Sequence, residues 1–322
     1  MLVFRGVPEQ ADQASVLTIG NFDGVHRGHQ ALLERLIATA RRLGLPATVL
    51  TFEPHPREFF APESAPARLT ALREKLALLE SCGVDRVHVC RFNRHWAALS
   101  AQDFIGKVLV RGLEVRHLLI GDDFRFGTGR GGDFAMLQQA GTSAGFSVES
   151  MHTVAVRDER ASSSAVRDAL MAGDLEHAAD LLGRPYCIAG RVIHGDKIGR
   201  QLGCPTANIA LKRRVVPLAG VFTVTVSGKG LASLPAVASV GTRPTVDGRG
   251  RVALEAHLLD WNADLYGAHL TVNFLHKLRD QVKYESLDAL QAQIARDVQD
   301  ARDYFQRLTA KAQRREGTQR EP

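Results

Sequence analysis

An apolar strand that runs into a glycine-punctuated loop and then a helix start constrains this chain more than any other stretch. Ser15-Val16-Leu17-Thr18-Ile19 has the branched, apolar character of a buried parallel strand. Gly20-Asn21-Phe22-Asp23-Gly24-Val25-His26-Arg27-Gly28-His29 follows, and Leu32, Leu33, Leu36, Ile37, Ala40 and Leu43 then recur at helical spacing until Gly44. Free backbone N–H groups and the positive end of the helix dipole make such a junction an anion site. His26 and His29, three apart in the first turn, add donors from one side. Two plainer readings use the same residues. The glycines can be turn glycines beside solvated histidines, or Asp23, His26 and His29 can hold a metal, although no nearby Cys or Glu completes that set.

The alternation of strand and helix continues to about residue 182. Ala47–Phe52 reads as a strand closed by Glu53-Pro54-His55-Pro56, residues 70–81 as a helix, Val87 and Val89 as the next strand, and residues 101–113 as another helix. His117–Ile120 is a further strand, leading into Gly121-Asp122-Asp123-Phe124-Arg125-Phe126-Gly127; Arg130 and Asp133 then lie in a glycine-rich turn, as loop and helix cap. Repeated βα units imply a parallel sheet covered by helices, with ligands at the carboxyl ends of its strands. Arg160-Ala161-Ser162-Ser163-Ser164-Ala165-Val166-Arg167 opens one more helix, either as a plain serine N-cap with an exposed arginine or as a second anion cradle.

Near Leu182-Gly183-Arg184-Pro185 the period changes to two. Residues 187–193, 221–226, 236–240, 252–259 and 270–274 read as successive strands, so an antiparallel sheet or small barrel is expected. A long amphipathic helix carrying Leu287, Leu290, Ile294, Val298, Ala301 and Phe305 closes the pattern. At 322 residues two domains are expected, at 1–182 and 183–309, with a basic flexible tail at 310–322. The four cysteines form no C-x-x-C pair, no run is long and apolar enough to span a membrane, and no signal-peptide pattern is present, so a cytoplasmic protein is expected. The net charge of +6 is scattered, which disfavours a nucleic-acid module.

The first loop resembles the G-x-F-D-x-x-H-x-G-H signature of the nucleotidyltransferase superfamily, and its longer form resembles the bacterial bifunctional riboflavin kinase/FAD synthetase family. Residues 160–167 resemble the superfamily's second signature, I-S-S-T-x-x-R, with Ala161 and Ser164 as departures. Gly199-Arg200-Gln201-Leu202-Gly203 followed by Cys204-Pro205-Thr206-Ala207-Asn208 resembles the kinase motif ending in P-T-A-N, with Cys204 in place of Phe. Leu254-Glu255-Ala256-His257-Leu258-Leu259-Asp260 resembles its base-bearing segment. Taken alone, the P-T-A-N run is an ordinary turn and Glu255 a solvent-facing strand residue.

The resemblance, which covers about residues 15–308, implies a Rossmann-like N-terminal domain and a C-terminal riboflavin kinase barrel. It also implies two reactions, ATP-dependent phosphorylation of riboflavin to FMN and adenylylation of FMN by ATP to FAD with release of pyrophosphate. In that reading Gly20, Phe22, Asp23, Gly24, Gly28, Ser163, Ser164 and Arg167 bind nucleotide, with His26 and His29 catalytic. Phe52, Phe126 and Asp123 bind flavin, and Gly203 and Thr206 bind nucleotide in the kinase domain. Thr206 and Asn208 are hard oxygen ligands suited to Mg²⁺ beside ATP phosphates, and Glu255 is the candidate base. The expected partners are riboflavin, FMN, FAD and ATP, with neither nucleic acid nor membrane. The rival readings are an adenylyltransferase for another phosphate ester and a flavin-binding sensor without turnover.

Overall fold

The computed structural model describes residues 1–151, 154–195, 203–213, 215–243 and 251–318. They divide into two compact units, Met1–Pro66 with Thr70–Ala165, and Ala67–Leu69 with Val166–Pro322. In the first unit β1 (Leu2–Arg5), β2 (Ser15–Ile19), α1 (Arg27–Leu43), β3 (Ala47–Phe52), α2 (Pro56–Phe60), α3 (Leu72–Ser81), β4 (Arg86–Cys90) and α4 (Arg94–Ala98) come first. Next are α5 (Ala101–Asp103), which continues as a π-helix over Phe104–Gly112, then β5 (Val115–Gly121), α6 (Phe134–Ala144) and β6 (Ser147–Met151). A small hairpin, β7 (Ala155–Val156) and β8 (Glu159–Arg160), precedes α7 (Ser163–Ala172), whose first residues belong to this unit.

The six long strands form one parallel sheet in the order β1-β4-β3-β2-β5-β6. Alternation along its central strands fills both faces, as strand geometry requires. Leu17, Leu50, Leu118 and Ile120 pack with the π-helix and Leu137 of α6, while Val16, Val49, Val87 and Leu119 pack with Leu33 and Leu36 of α1. Helix α1 stops at Gly44, whose φ of 64° is the left-handed turn that glycine takes without strain. Strands β3, β2 and β5 are neighbours, so the loops after Phe52, Ile19 and Gly121 leave the same edge of the sheet. That is the edge where the alternating pattern expects ligands.

The second unit continues α7 and adds α8 (Leu175–Leu182), β9 (Tyr186–Ile193), β10 (Ala207–Ile209), β11 (Gly220–Gly228), β12 (Leu231–Arg243), β13 (Arg251–Leu258), β14 (His269–Arg279) and α9 (Leu287–Thr318). Six antiparallel strands close into a barrel, β10-β13-β12-β11-β14-β9. Phe222, Val224, Ala238, Leu254, Ala256, Val272 and Phe274 fill it, with the Phe222 and Phe274 rings edge to face at 5.3 Å. Small residues are needed where strands approach closely. A Cβ on Gly190 would lie 2.4 Å from the Ala210 carbonyl oxygen.

Three differences from the sequence pattern have local causes. The helix expected over 101–113 widens into a π-helix after Asp103, and the wider turn buries Phe104, Ile105, Val108, Leu109 and Gly112 in one stripe. The strand pattern missed β1, an edge strand that pairs with β4 and whose Leu2 and Val3 are exposed. On α9 the apolar stripe is shallower than expected: Leu287 is exposed, and Ala301 is buried together with a carboxylate, Asp297. Asp297 accepts from Arg279 Nε at 2.8 Å and Nη2 at 2.6 Å, and from Gln293 Nε2 at 3.0 Å. This fork ties the helix to the end of β14, and removing one side leaves a partly buried guanidinium unmatched. Asp297→Ala should therefore lower unfolding free energy by about 2–4 kcal/mol in a urea titration. A change below about 0.5 kcal/mol would show the fork to be an ordinary surface pair.

Candidate active sites

The loop between β2 and α1 has an unusual backbone. Phe22 and Val25 take φ values of 48° and 42°, and Gly24 lies between them at 83°. Left-handed backbone at a bulky or branched residue costs about 1–3 kcal/mol and needs surrounding structure to hold it. Burial supplies part of that hold, since Phe22, Asp23, Gly24, Val25 and His26 are all buried. Gln30 Nε2 donates to the Val25 carbonyl at 2.8 Å, and Thr51 Oγ1 donates to the Asn21 carbonyl at 3.4 Å. Gly20 packs closely, and a Cβ there would meet the Phe22 ring at 3.0 Å.

His26 is the N-cap of α1, its Nδ1 accepting from the His29 amide at 3.4 Å. The two imidazoles stack with centroids 3.7 Å apart, and the Phe22 ring lies 4.9 Å from His29. Burial first, then the neighbouring charges of His26 and Lys75, hold the His29 imidazole well below its usual range. His29 Nδ1 is buried with no hydrogen-bond partner among the described residues. No group of three or more His, Cys, Asp or Glu side chains able to hold a metal ion occurs among the described residues, the loop included.

The second anion motif comes to the first. A Cβ on Gly28 would lie 3.0 Å from the Ala161 carbonyl oxygen and 3.1 Å from the His26 ring, so any larger residue there would press on both. Ser163 Oγ donates to the Asp23 carbonyl at 2.8 Å, Ser162 Oγ accepts from the Ala165 amide at 3.1 Å as the helix cap, and Ser164 is exposed. Arg167, on the same helix, belongs to the second unit; it is buried and its Nε donates to the Ala67 carbonyl.

Of the three flavin candidates, Phe52 is half-buried at the end of β3 and meets Trp96 at 5.3 Å and Phe92 at 5.5 Å, both edge-on. Phe126 is buried, 5.2 Å from Phe104 and stacked at 5.7 Å on Phe124, and it lies against Gly132, where a Cβ would come within 2.5 Å of its ring. Asp123 is exposed and paired with Arg160 at 3.2 Å. The structure adds aromatic residues that the sequence reading passed over. Phe59 and Phe60 of α2 join Phe92 at 5.5 Å and 5.7 Å, and Phe60 is 66% exposed, an unusual position for such a ring. Their available signal was the Phe59-Phe60 pair behind the proline turn, together with Phe92 and Trp96 just past β4. Asp133 caps α6 through the Met136 amide, as its position in the glycine-rich turn suggested.

In the second unit β10 lies between β9 and β13, and the register sets Asn208 opposite Glu255. Thr206 Oγ1 donates to Glu255 Oε2 at 3.4 Å. Along β13, Leu254, Ala256 and Leu258 are buried while Glu255 and His257 are partly exposed on the other face, the division that alternation implies. His257 Nδ1 donates to the Pro205 carbonyl at 2.9 Å, which fixes its tautomer and holds the turn just before Thr206. Gly195 lies against the Asn208 amide, where a Cβ would come within 2.5 Å. Gly203 has a φ of 77°. The rest of the expected basic loop, residues 196–202, lies outside the described residues.

Two family models match in succession, FAD synthetase over residues 8–165 and riboflavin kinase over residues 182–305. The chain is 52% identical over 308 residues to the bifunctional riboflavin kinase/FMN adenylyltransferase of Escherichia coli (strain K12), covering 95% of this chain and 98% of that protein. It is 55% identical over 287 residues to the protein of the same name from Pseudomonas fluorescens, covering 89% and 92%. A crystal structure described as a macrolide-efflux protein of Streptococcus pneumoniae is similar, with a TM-score of 0.81 and 29% identity over 94% of this chain and 99% of that one. Among the described residues no helix is long and apolar enough to cross a membrane.

The electrostatics of the first site can be read directly. In an NMR titration of the free protein, the His29 imidazole should remain neutral as pH falls past the ordinary value of 6.5. Half-protonation at or above that pH would contradict its enclosure.

Proposed function

The chain belongs to the bifunctional riboflavin kinase/FMN adenylyltransferase family, and on that premise we propose how its two units divide the work. The enzyme phosphorylates riboflavin to FMN with ATP, then joins FMN to the adenylyl part of ATP to give FAD and pyrophosphate. We assign FAD formation to residues 1–182 and the kinase reaction to residues 183–309. A cytoplasmic location suits four cysteines of which none forms a disulfide.

In FAD formation the FMN phosphate oxygen attacks the α-phosphorus of ATP, an oxygen–phosphorus bond forms, and the bond to the β-phosphate oxygen breaks. The attacking phosphate is already nucleophilic, so what the protein must supply is alignment and neutralisation of the pyrophosphate as its charge develops. The observation that carries this reading is the stacked His26–His29 pair at the start of α1, with the second anion motif held against it at Gly28. Gly20, Phe22, Asp23, Gly24 and Gly28 shape the loop whose amides receive the phosphates, and Ser163 and Ser164 add hydroxyls. For Arg167 the proposal rests on the S-S-S-x-x-R signature alone. Its enclosure keeps His29 neutral before substrate binds, with one ring N–H to donate, and a bound phosphate favours its protonated form as negative charge builds. Phe52, with Phe126 behind it through Trp96 and Phe104, offers flat apolar surface for the isoalloxazine ring, and Asp123 stands at the mouth of that loop.

In the kinase unit Glu255 takes the proton of the terminal ribityl hydroxyl as its oxygen attacks the γ-phosphorus, and ADP leaves. The oxygen donors around Glu255 fit a magnesium ion. Thr206 Oγ1 and the Asn208 side-chain oxygen are hard ligands on one short segment, and the missing Cβ at Gly195 leaves the Asn208 amide its space. Thr206 and Asn208 would hold Mg²⁺, which would neutralise charge on the ATP phosphates. Thr206 and Gly203 also present the turn to the nucleotide, and His257 keeps that turn in place through Pro205.

Separating the two reactions tests the assignment. Glu255→Ala should lower FMN formation from riboflavin by about 100-fold or more while FAD formation from added FMN holds. His29→Ala should do the reverse, lowering FAD formation by about 100-fold. Chromatographic separation of flavins reads both, and one substitution that stopped both reactions would refute one chemistry per unit.

A further inference from the structure

The strained loop before α1 has an anchor 47 residues away in sequence. Thr70, just ahead of α3, is buried. Its backbone N–H donates to Asp23 Oδ1 at 2.9 Å, and its hydroxyl donates to the same oxygen at 3.0 Å. That hydroxyl in turn accepts the Gly24 amide at 3.1 Å. One side chain therefore grips both the carboxylate and the next amide of the loop, between the left-handed residues Phe22 and Val25. The α3 side of the anchor is itself braced, with the Ala71 amide donating to Glu74 Oε2 at 2.6 Å.

We propose that Thr70 is a positioning residue for FAD formation: its hydroxyl sets the direction in which the loop from Gly20 to His26 presents its amides and the His26–His29 pair to the nucleotide. Three facts carry this. The loop's backbone is of a kind that relaxes unless it is held. Both partners of the clamp are buried, so water does not replace a lost hydroxyl without rearrangement. Ser163, from the second anion motif, donates to the carbonyl of the same Asp23, so a shift at Thr70 moves the junction of the two motifs together. No group of Thr70 needs to touch substrate for this role. The inference rests on assigning FAD formation to this unit.

Thr70→Val keeps the shape and the backbone N–H but removes the hydroxyl, while Thr70→Ser keeps the hydroxyl and removes a methyl. For FAD formation from FMN, the valine variant should show a raised KM for ATP and a lowered kcat, together about 10–100-fold in kcat/KM. The serine variant should stay within about threefold of the parent. FMN formation from riboflavin by the same proteins should hold in both. If the valine variant melts at a temperature too low to assay, Thr70→Ala compared with Thr70→Ser under the same conditions makes the same distinction. Valine within threefold of the parent, serine as impaired as valine, or a parallel decline of both reactions would overturn the proposal. His29→Ala separates this from failure of the underlying assignment. If that variant still makes FAD at the parent rate, the site itself is misplaced; if it loses FAD formation while Thr70→Val does not, only the clamp is wrong.

Discussion

Everything in the first unit depends on a stretch of backbone held where side-chain-bearing residues resist going. Phe22 and Val25 are left-handed, buried and apolar, and the turn they make delivers the start of α1 and its two histidines to the carboxyl edge of the sheet. The strain persists because hydrogen bonds from other parts of the chain converge on it, from Thr51, Thr70 and Ser163. An extended loop of the same composition would leave the helix start without the neighbouring motif. The parallel sheet supplies the frame, since β3, β2 and β5 bring three loops to one edge.

The second unit meets the same chemical demand by other means. A closed barrel fixes β10 against β13 so that Asn208 stands opposite Glu255, and a turn held by His257 sets Thr206 beside the carboxylate. Barrel register is rigid wherever one face is packed, because a slip by one residue would carry Leu254 outward and Glu255 into the core. The geometry of this candidate site is therefore specified by the same alternation that fills the barrel.

Much of this was legible in the sequence. The limits of β2 and β3 followed from apolar composition and turn residues, and the start of α7 followed from the serine run at 162–164. The two anion motifs and the Thr206, Asn208 and Glu255 set were visible as spacing and resemblance. What stayed hidden was long-range. Nothing local marks Thr70 as the partner of Asp23, since the pattern reads it as the first residue of the helix over 70–81. The Phe59, Phe60, Phe92 and Trp96 cluster assembles only when α2 and the segment after β4 meet. Asp297 reads as one more solvated charge on an amphipathic helix until Arg279 is placed beside it.

The central claim is that each chain carries two separate sites for the same triphosphate, built from unrelated backbone. Calorimetric titration of the flavin-free protein with MgATP tests it most directly. The account predicts two ATP per chain, falling to one in His29→Ala and to one, at the other site, in Thr206→Ala. A single ATP per chain in the parent protein, or two still bound after His29→Ala, would contradict it.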